Sequence, residues 1–333
     1  MQKDLSSKII VSVLLVLGLC CATVHAEEFS ENNLVFLCFG QSNMEGNAAP
    51  ESQDYEGISP RFKKMYAANS DGTKMGQWAT AKPPLTRNNT GLTPVDYFGR
   101  YLIENLDSRY EIRVIVVAVA GCSIKLFDKK NYQSYLSDEG TADWLRNIAN
   151  DYGGNPYGRL IELAKKAQET GVITGILMHQ GETDAYSDDW VNTADKVYKN
   201  IISDLDIKTW TAQFLIGEVV NADQNGACSG ANSSISKLAG TSSYYHLISS
   251  AGCPAGPDNL HFSAQGYRMM GERYGKKMLS ILRQRGYVMN SVDITEEDSS
   301  EPDDSPVYNL KGQHYYDPVP GIRIINGKKY IFK

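Results

Sequence analysis

The sequence predicts a three-layer α/β/α fold around a mostly parallel central sheet. Apolar runs of strand length recur between residues 34 and 285 without the polar–apolar alternation of a half-exposed strand. Helical patterns separate those runs. Strands buried on both faces and spaced by helices are characteristic of parallel sheets held between helical layers. The chain has 333 residues and is 42% hydrophobic, enough to bury such a core.

The elements follow in order. Residues 34–39 form an apolar strand that ends at Gly40. Thr93-Pro94 opens a helix, with Thr as N-cap, Pro at the first helical position and Asp96 in the first turn; it runs to about Asp107. Residues 112–120, rich in Val and Ile, make a second strand stopped by Gly121. A helix at 157–170 leads to a strand at 173–179, and a helix at 190–204 to a strand at 213–219. Residues 244–249 are a weaker fifth strand. Ser263 caps a last helix that reaches Arg285. Ligands of such sheets gather at the carboxyl ends of strands, which directs attention to residues 40–46, 121–124 and 180–184.

The ends of the chain read differently. Lys3 and Lys8 precede an apolar run at 9–19, about half the length of a membrane span. With Val24-His25-Ala26 after it, residues 1–26 read as a secretory signal peptide cut after Ala26, a single membrane anchor being the alternative. The expectation is export, to the medium or the periplasm, without stable membrane insertion. Residues 27–290 are the main domain. Residues 291–306 are an acidic linker, with seven acidic residues between Asp293 and Asp304 among Ser, Thr and Pro. Residues 307–333 form a short tail, where Asn326-Gly327 between Ile324-Ile325 and Tyr330-Ile331 signals a hairpin. The net charge is −6 and no Lys/Arg-rich run stands out, which excludes nucleic acid and anionic membrane as expected partners. Export permits disulfides, and Cys228 and Cys253, both in loop sequence, are the favoured pair. Cys38 and Cys122 read as buried small hydrophobes, and spacing alone leaves the pairing open.

Four segments carry chemistry. Gly40-Gln41-Ser42-Asn43-Met44 follows the first strand and presents a serine at the sheet edge. A serine there needs an adjacent base, the plainer reading being a Gly/Ser/Asn turn. Asp258-Asn259-Leu260-His261 can supply one, with His261 taking the proton and Asp258 fixing its tautomer. His179-Gln180-Gly181-Glu182-Thr183-Asp184 follows the third strand, and a neutral amide such as Gln180 suits an oxyanion. A metal reading of His179, Glu182 and Asp184 matches no common zinc spacing. Ala120-Gly121-Cys122 offers a backbone N–H at a strand end. Trp78, Tyr186 and Trp190 can stack on a sugar, with packing as the plainer alternative for each.

Taken together and in this order, the four blocks resemble the carbohydrate-esterase branch of the SGNH hydrolases, which holds sialate O-acetylesterase-like proteins and acetylxylan esterases of carbohydrate esterase family 6. The resemblance spans residues 33 to 285. It separates the chain from the α/β-hydrolases, whose Gly-x-Ser-x-Gly lies near mid-chain; here Met44 stands at the last position. The resemblance implies an SGNH/flavodoxin-like fold and removal of acetyl groups from an acetylated oligo- or polysaccharide, acetylated xylan first, with no cofactor and no metal. It implies Ser42 as nucleophile, His261 as base and Asp258 as its partner. The oxyanion hole would be the Ser42 and Gly121 N–H groups with the Gln180 side chain. Gln41, Asn43, Glu182 and Asp184 would support the loops. Met178 stands where relatives often carry Trp, and Ala120-Gly121-Cys122 where they often carry Gly-Gly-Thr. A sialate esterase, a general short-chain esterase, a metal-dependent hydrolase and a non-catalytic glycan-binding protein are the rival readings.

Overall fold

The computed structural model describes residues 27–290 in full and, beyond them, the backbone of four short strands. The signal-peptide and linker readings lie outside the described residues. The described residues divide into two compact units, residues 27–290 and the strands beyond residue 306.

The first unit is built on seven strands. They are β1 (Asn33–Gly40), β2 (Phe62–Met65), β3 (Trp78–Thr80), β4 (Glu111–Ala118), β5 (Val172–His179), β6 (Gln213–Gly217) and β7 (Tyr245–Ile248), in the spatial order β3-β2-β4-β1-β5-β6-β7. All neighbours are parallel except the β2–β3 edge pair. Among the described residues of this unit the α-helices are α1 (Ser42–Glu45), α2 (Ser52–Tyr55), α3 (Pro94–Asn105), α4 (Tyr132–Ser137), α5 (Asp143–Asp151), α6 (Pro156–Gln168), α7 (Trp190–Asp204), α8 (Ala231–Ala239) and α9 (Ala264–Gln284). This is the three-layer α/β/α fold the sequence predicts. The five expected strands are present as β1, β4, β5, β6 and β7. The antiparallel edge was missed because β2 is four residues long, with Lys63 and Lys64 at its centre.

Successive side chains of a strand point to opposite faces, and the core divides accordingly. Leu34, Phe36 and Cys38 pack toward α3 and α9, while Val35, Leu37 and Phe39 pack toward α5, α6, α7 and α8. Phe36 and Phe98 meet edge to face at 4.9 Å, and truncating either would cost about 3–5 kcal/mol. Helix α9 approaches α3 closely because it carries glycine at the contact. A Cβ on Gly271 would sit 2.3 Å from the Pro94 carbonyl oxygen. Thr93 caps α3 as expected, with Asp96 Oδ2 accepting the Thr93 N–H at 2.9 Å. Ser263 Oγ accepts the Gly266 N–H at 3.2 Å and starts α9.

The favoured Cys228–Cys253 disulfide is not formed; both are free thiols. They belong to different layers, Cys228 packing on the α7–α8 side and Cys253 on the α3–α9 side. Among the described residues no helix is long and apolar enough to cross a membrane.

In the second unit, β8 (Val307–Tyr308), β9 (His314–Tyr315), β10 (Gly321–Ile325) and β11 (Lys328–Phe332) form a sheet in the order β11-β10-β8-β9. β10 and β11 pair antiparallel, from Gly321 opposite Phe332 to Ile325 opposite Lys328. The Asn326-Gly327 turn itself lies outside the described residues.

Candidate active site

Four loops meet at the carboxyl end of the sheet and enclose a cleft of about 360 Å³. Strand β1 delivers the first. Gly40 is required at its end, because a Cβ there would lie 2.0 Å from the His179 carbonyl oxygen of neighbouring β5. The chain then turns directly into the single-turn helix α1, with Ser42 as its first residue. Ser42 is 6% exposed and lines the cleft.

The Asp258–His261 loop faces it. His261 Nε2 lies 2.8 Å from Ser42 Oγ, and His261 Nδ1 lies 2.6 Å from Asp258 Oδ2. The other Asp258 oxygen accepts the backbone N–H groups of Leu260 and His261, each at 3.0 Å. Asn259 adopts the left-handed conformation (φ 55°), which Asn tolerates better than most residues and which lets the loop close this tightly. Partial burial pushes the Asp258 carboxyl up, but these hydrogen bonds from His261 and Leu260 outweigh it and hold the group down at about 2. The carboxylate is thus ionised wherever the imidazole needs a negative partner.

Asn43 joins the two halves. It is fully buried, and its Nδ2 donates to Glu182 Oε1 (2.6 Å) and to the Leu260 carbonyl (3.0 Å). Its Oδ1 accepts the Phe262 N–H (3.2 Å) and the Tyr267 hydroxyl (2.8 Å). One side chain beside the serine therefore holds the loop that carries the histidine. Gln41 does the equivalent for the third loop. Its Oε1 accepts from the Gln180 amide and from the Gly181 and Thr183 N–H groups at 3.2–3.4 Å.

The expected supporting carboxylates separate in character. Asp184 accepts from Ser123 Oγ (2.6 Å), the Ile124 N–H (2.7 Å) and the Gln180 amide (2.5 Å), and so binds the β4 and β5 loops together. Glu182 lines the cleft and is 6% exposed, with Oε2 lacking a partner among the described residues. Burial raises its pKa, against the lowering effect of the Asn43 hydrogen bond.

Gln180 departs from expectation. It is fully buried, and its amide donates to Asp184 Oδ2, the Cys122 carbonyl and Gln41 Oε1. Its carbonyl accepts the Trp190 indole N–H. An amide so engaged has no hydrogen left for an oxyanion, so Gln180 fixes the loops instead. Gly121, by contrast, lines the cleft with φ 67°, and its carbonyl accepts the Thr183 hydroxyl at 3.0 Å. Its N–H and that of Ser42 donate to no acceptor among the described residues. Both groups stand at the cleft wall with their hydrogens free, as an oxyanion would require.

The three candidate aromatics do not reach the cleft. Trp190 is 2% exposed, Trp78 lies under the Arg113 guanidinium, and Tyr186 stands in solvent. Trp144 of α5 lines the cleft instead, and an added Cβ on Gly121 would meet its indole at 2.5 Å. The signal for it was present. Trp144 is out of phase with the buried Leu145, Ala149 and Tyr152 of the same amphipathic segment. His179 is fully buried against Phe262 and Tyr274, and burial lowers its pKa to about 3.

A doubly covered parallel sheet here carries serine, histidine and aspartate in hydrogen-bonded series at its carboxyl edge, an arrangement that suits a serine hydrolase. The comparisons make the assignment narrower. The family model described as carbohydrate esterase, sialic acid-specific acetylesterase matches residues 32–280. The chain belongs to that family and is a carboxylic ester hydrolase acting on acetylated glycans. Solved structures share the fold. A protein from Arabidopsis thaliana superposes with a TM-score of 0.57 at 18% identity, over 74% of this chain and 98% of its own. The protein NanS gives 0.55 at 15% identity, over 77% and 99%. A carbohydrate acetylesterase from Xanthomonas citri gives 0.50 at 15% identity, over 75% and 55%.

Proposed function

We propose that the protein is an exported serine O-acetylesterase that removes acetyl groups from a neutral plant-type glycan, with acetylated xylan as the first substrate to try. The observation that carries this reading is the series Ser42 Oγ, His261 Nε2, His261 Nδ1 and Asp258 Oδ2, at 2.8 and 2.6 Å, inside the cleft. Ser42 Oγ attacks the acetyl carbonyl carbon while His261 takes its proton. The tetrahedral oxyanion is held by the Ser42 and Gly121 N–H groups. On collapse, the sugar oxygen leaves with the proton from His261 and an acetyl-Ser42 ester remains. Water, deprotonated by His261, releases acetate and restores the serine. Asp258 stabilises the imidazolium throughout. The signal peptide at 1–26, the esterase domain at 27–290, the linker at 291–306 and the tail at 307–333 complete the proposed layout.

The family description favours a second reading, an O-acetylated sialic acid. Such a sugar carries a carboxylate, and no Lys or Arg is among the residues lining the cleft. With neither of them there to pair with that carboxylate, the neutral substrate is favoured. The test is acetate release from acetylated xylan, an O-acetylated sialic acid and an aryl acetate, by wild type and Ser42→Ala. The expected result is release by wild type alone, with xylan preferred. Retained activity in the variant would overturn the serine mechanism; preference for the sialate would overturn the neutral glycan.

A further inference from the structure

Helix α5 borders two concavities. Trp144 faces the cleft just described. One turn on, Asn147, Ile148, Asn150 and Asp151 line a second, open concavity of about 360 Å³ together with Asn69, Ser70 and Arg87. Residues three and four apart share a helix face, and four residues advance about 6 Å along the axis. The two spaces therefore follow one another along α5 at a spacing comparable to a sugar ring. They are also joined beneath. Arg87 Nε donates to Glu45 Oε1 at 2.9 Å, and Glu45 closes the helix that Ser42 begins.

The two walls differ in a way that suits a chain of neutral sugars. The first offers an indole that is part of a residue 54% exposed, a flat apolar face of the kind a pyranose ring covers. The second is polar and holds both kinds of hydrogen-bonding group. The two terminal nitrogens of Arg87 donate to no acceptor among the described residues, while its Nε is committed to Glu45. Asn147 and Asn150 are exposed and can donate and accept. Asp151 accepts from the Ser70 N–H and hydroxyl, both at 2.7 Å, and keeps lone pairs for more. Donors and acceptors set side by side match sugar hydroxyls. With Arg87 and Asp151 in one lining, neither sign of charge prevails, which suits a neutral ligand.

We infer that α5 is a glycan-binding helix: Trp144 covers the acetylated sugar, and the concavity at Arg87, Asn147, Asn150 and Asp151 holds the neighbouring neutral sugar of the same chain. This rests on the proposed esterase reading for the position of the acetyl group. It makes the substrate an oligomer or polymer instead of a free acetylated monosaccharide.

Calorimetric titration with unacetylated xylo- and cello-oligosaccharides of increasing length tests it without hydrolysis. The affinity of the wild-type protein should rise about tenfold once a second ring is present. Trp144→Ala should weaken every sugar. Asn147→Trp, which fills the second concavity from an exposed position, should abolish the gain from the second ring; its thermal melt confirms folding. No binding of any neutral oligosaccharide, or a length dependence that survives Asn147→Trp, would overturn the inference. Aryl acetate hydrolysis by wild type and Ser42→Ala, run beside it, reads the serine mechanism separately.

Discussion

The two sides of the cleft are built by different means. The serine side is rigid by construction. Ser42 follows a strand paired on both flanks, behind a glycine that fits only without a side chain, and its neighbour Asn43 is fully buried. The histidine side is a surface loop. Its Asp258 side chain is 48% exposed, and no strand supports it. What it has instead is a short internal hydrogen-bond network, the Ala227 N–H donated to the Asn259 carbonyl at 2.8 Å, and the bonds that join Asn43 to Leu260 and Phe262. The contrast teaches that one buried amide ties the loop of the proposed base to the strand end of the proposed nucleophile.

The largest effect tests the serine side. Ser42→Ala is expected to cut acetate release by about 10⁴- to 10⁶-fold, since Ser42 as the proposed nucleophile, unlike a positioning group, has no substitute. Asp258→Asn tests the exposed side. Loss of the negative partner should lower kcat by about 10²- to 10⁴-fold and leave KM nearly unchanged. An Asp258→Asn enzyme as active as wild type would show that the exposed loop does not work as a unit with Ser42. Asn43→Ala breaks the bridge between the sides. It leaves buried partners unsatisfied, at about 2–3 kcal/mol together, so Tm should fall by roughly 4–12 °C. Freed from its tether, His261 should lose register and kcat should drop about 10²-fold. If Tm falls and kcat does not, the loop holds its own shape and the tether is structural alone.

What the sequence made legible follows the same division. The strands β1, β4 and β5 were readable because burial on both faces leaves an uninterrupted apolar run, and the blocks at their ends could then be placed at one edge. The Asp258–His261 pair was readable from local spacing, since three residues suffice to close the loop. Gln180 was misread for a physical reason. Sequence gives the residue type at a strand end but not which acceptors already claim its hydrogens, and here Asp184, Cys122 and Gln41 claim them. Trp144 was missed because α5 does not follow a strand, so nothing local tied it to the strand-end loops. The disulfide expectation failed on topology. Both cysteines sit in loop sequence, but the sheet stands between the clusters they join.

The smallest effect concerns pH and again sets the two sides against each other. Asp258 is held down at about 2, so the stability it contributes is full above the ordinary carboxylate value of 3.8 and is lost only as pH falls through about 2. Glu182, buried against Asn43, is raised above its ordinary 4.5, so the folded state holds its proton more tightly than the unfolded chain does. Its contribution is complete below 4.5 and is lost as pH rises past its raised value. Glu182→Gln keeps an acceptor for the Asn43 amide and removes the titration. Tm measured at pH 5 and pH 8 should therefore differ less in Glu182→Gln than in wild type, and the variant should gain at pH 8. An identical pH dependence in the two proteins would mean that Glu182 is ionised in the folded state across this range. The unpartnered Oε2 would then have to find its compensation in water entering from the cleft.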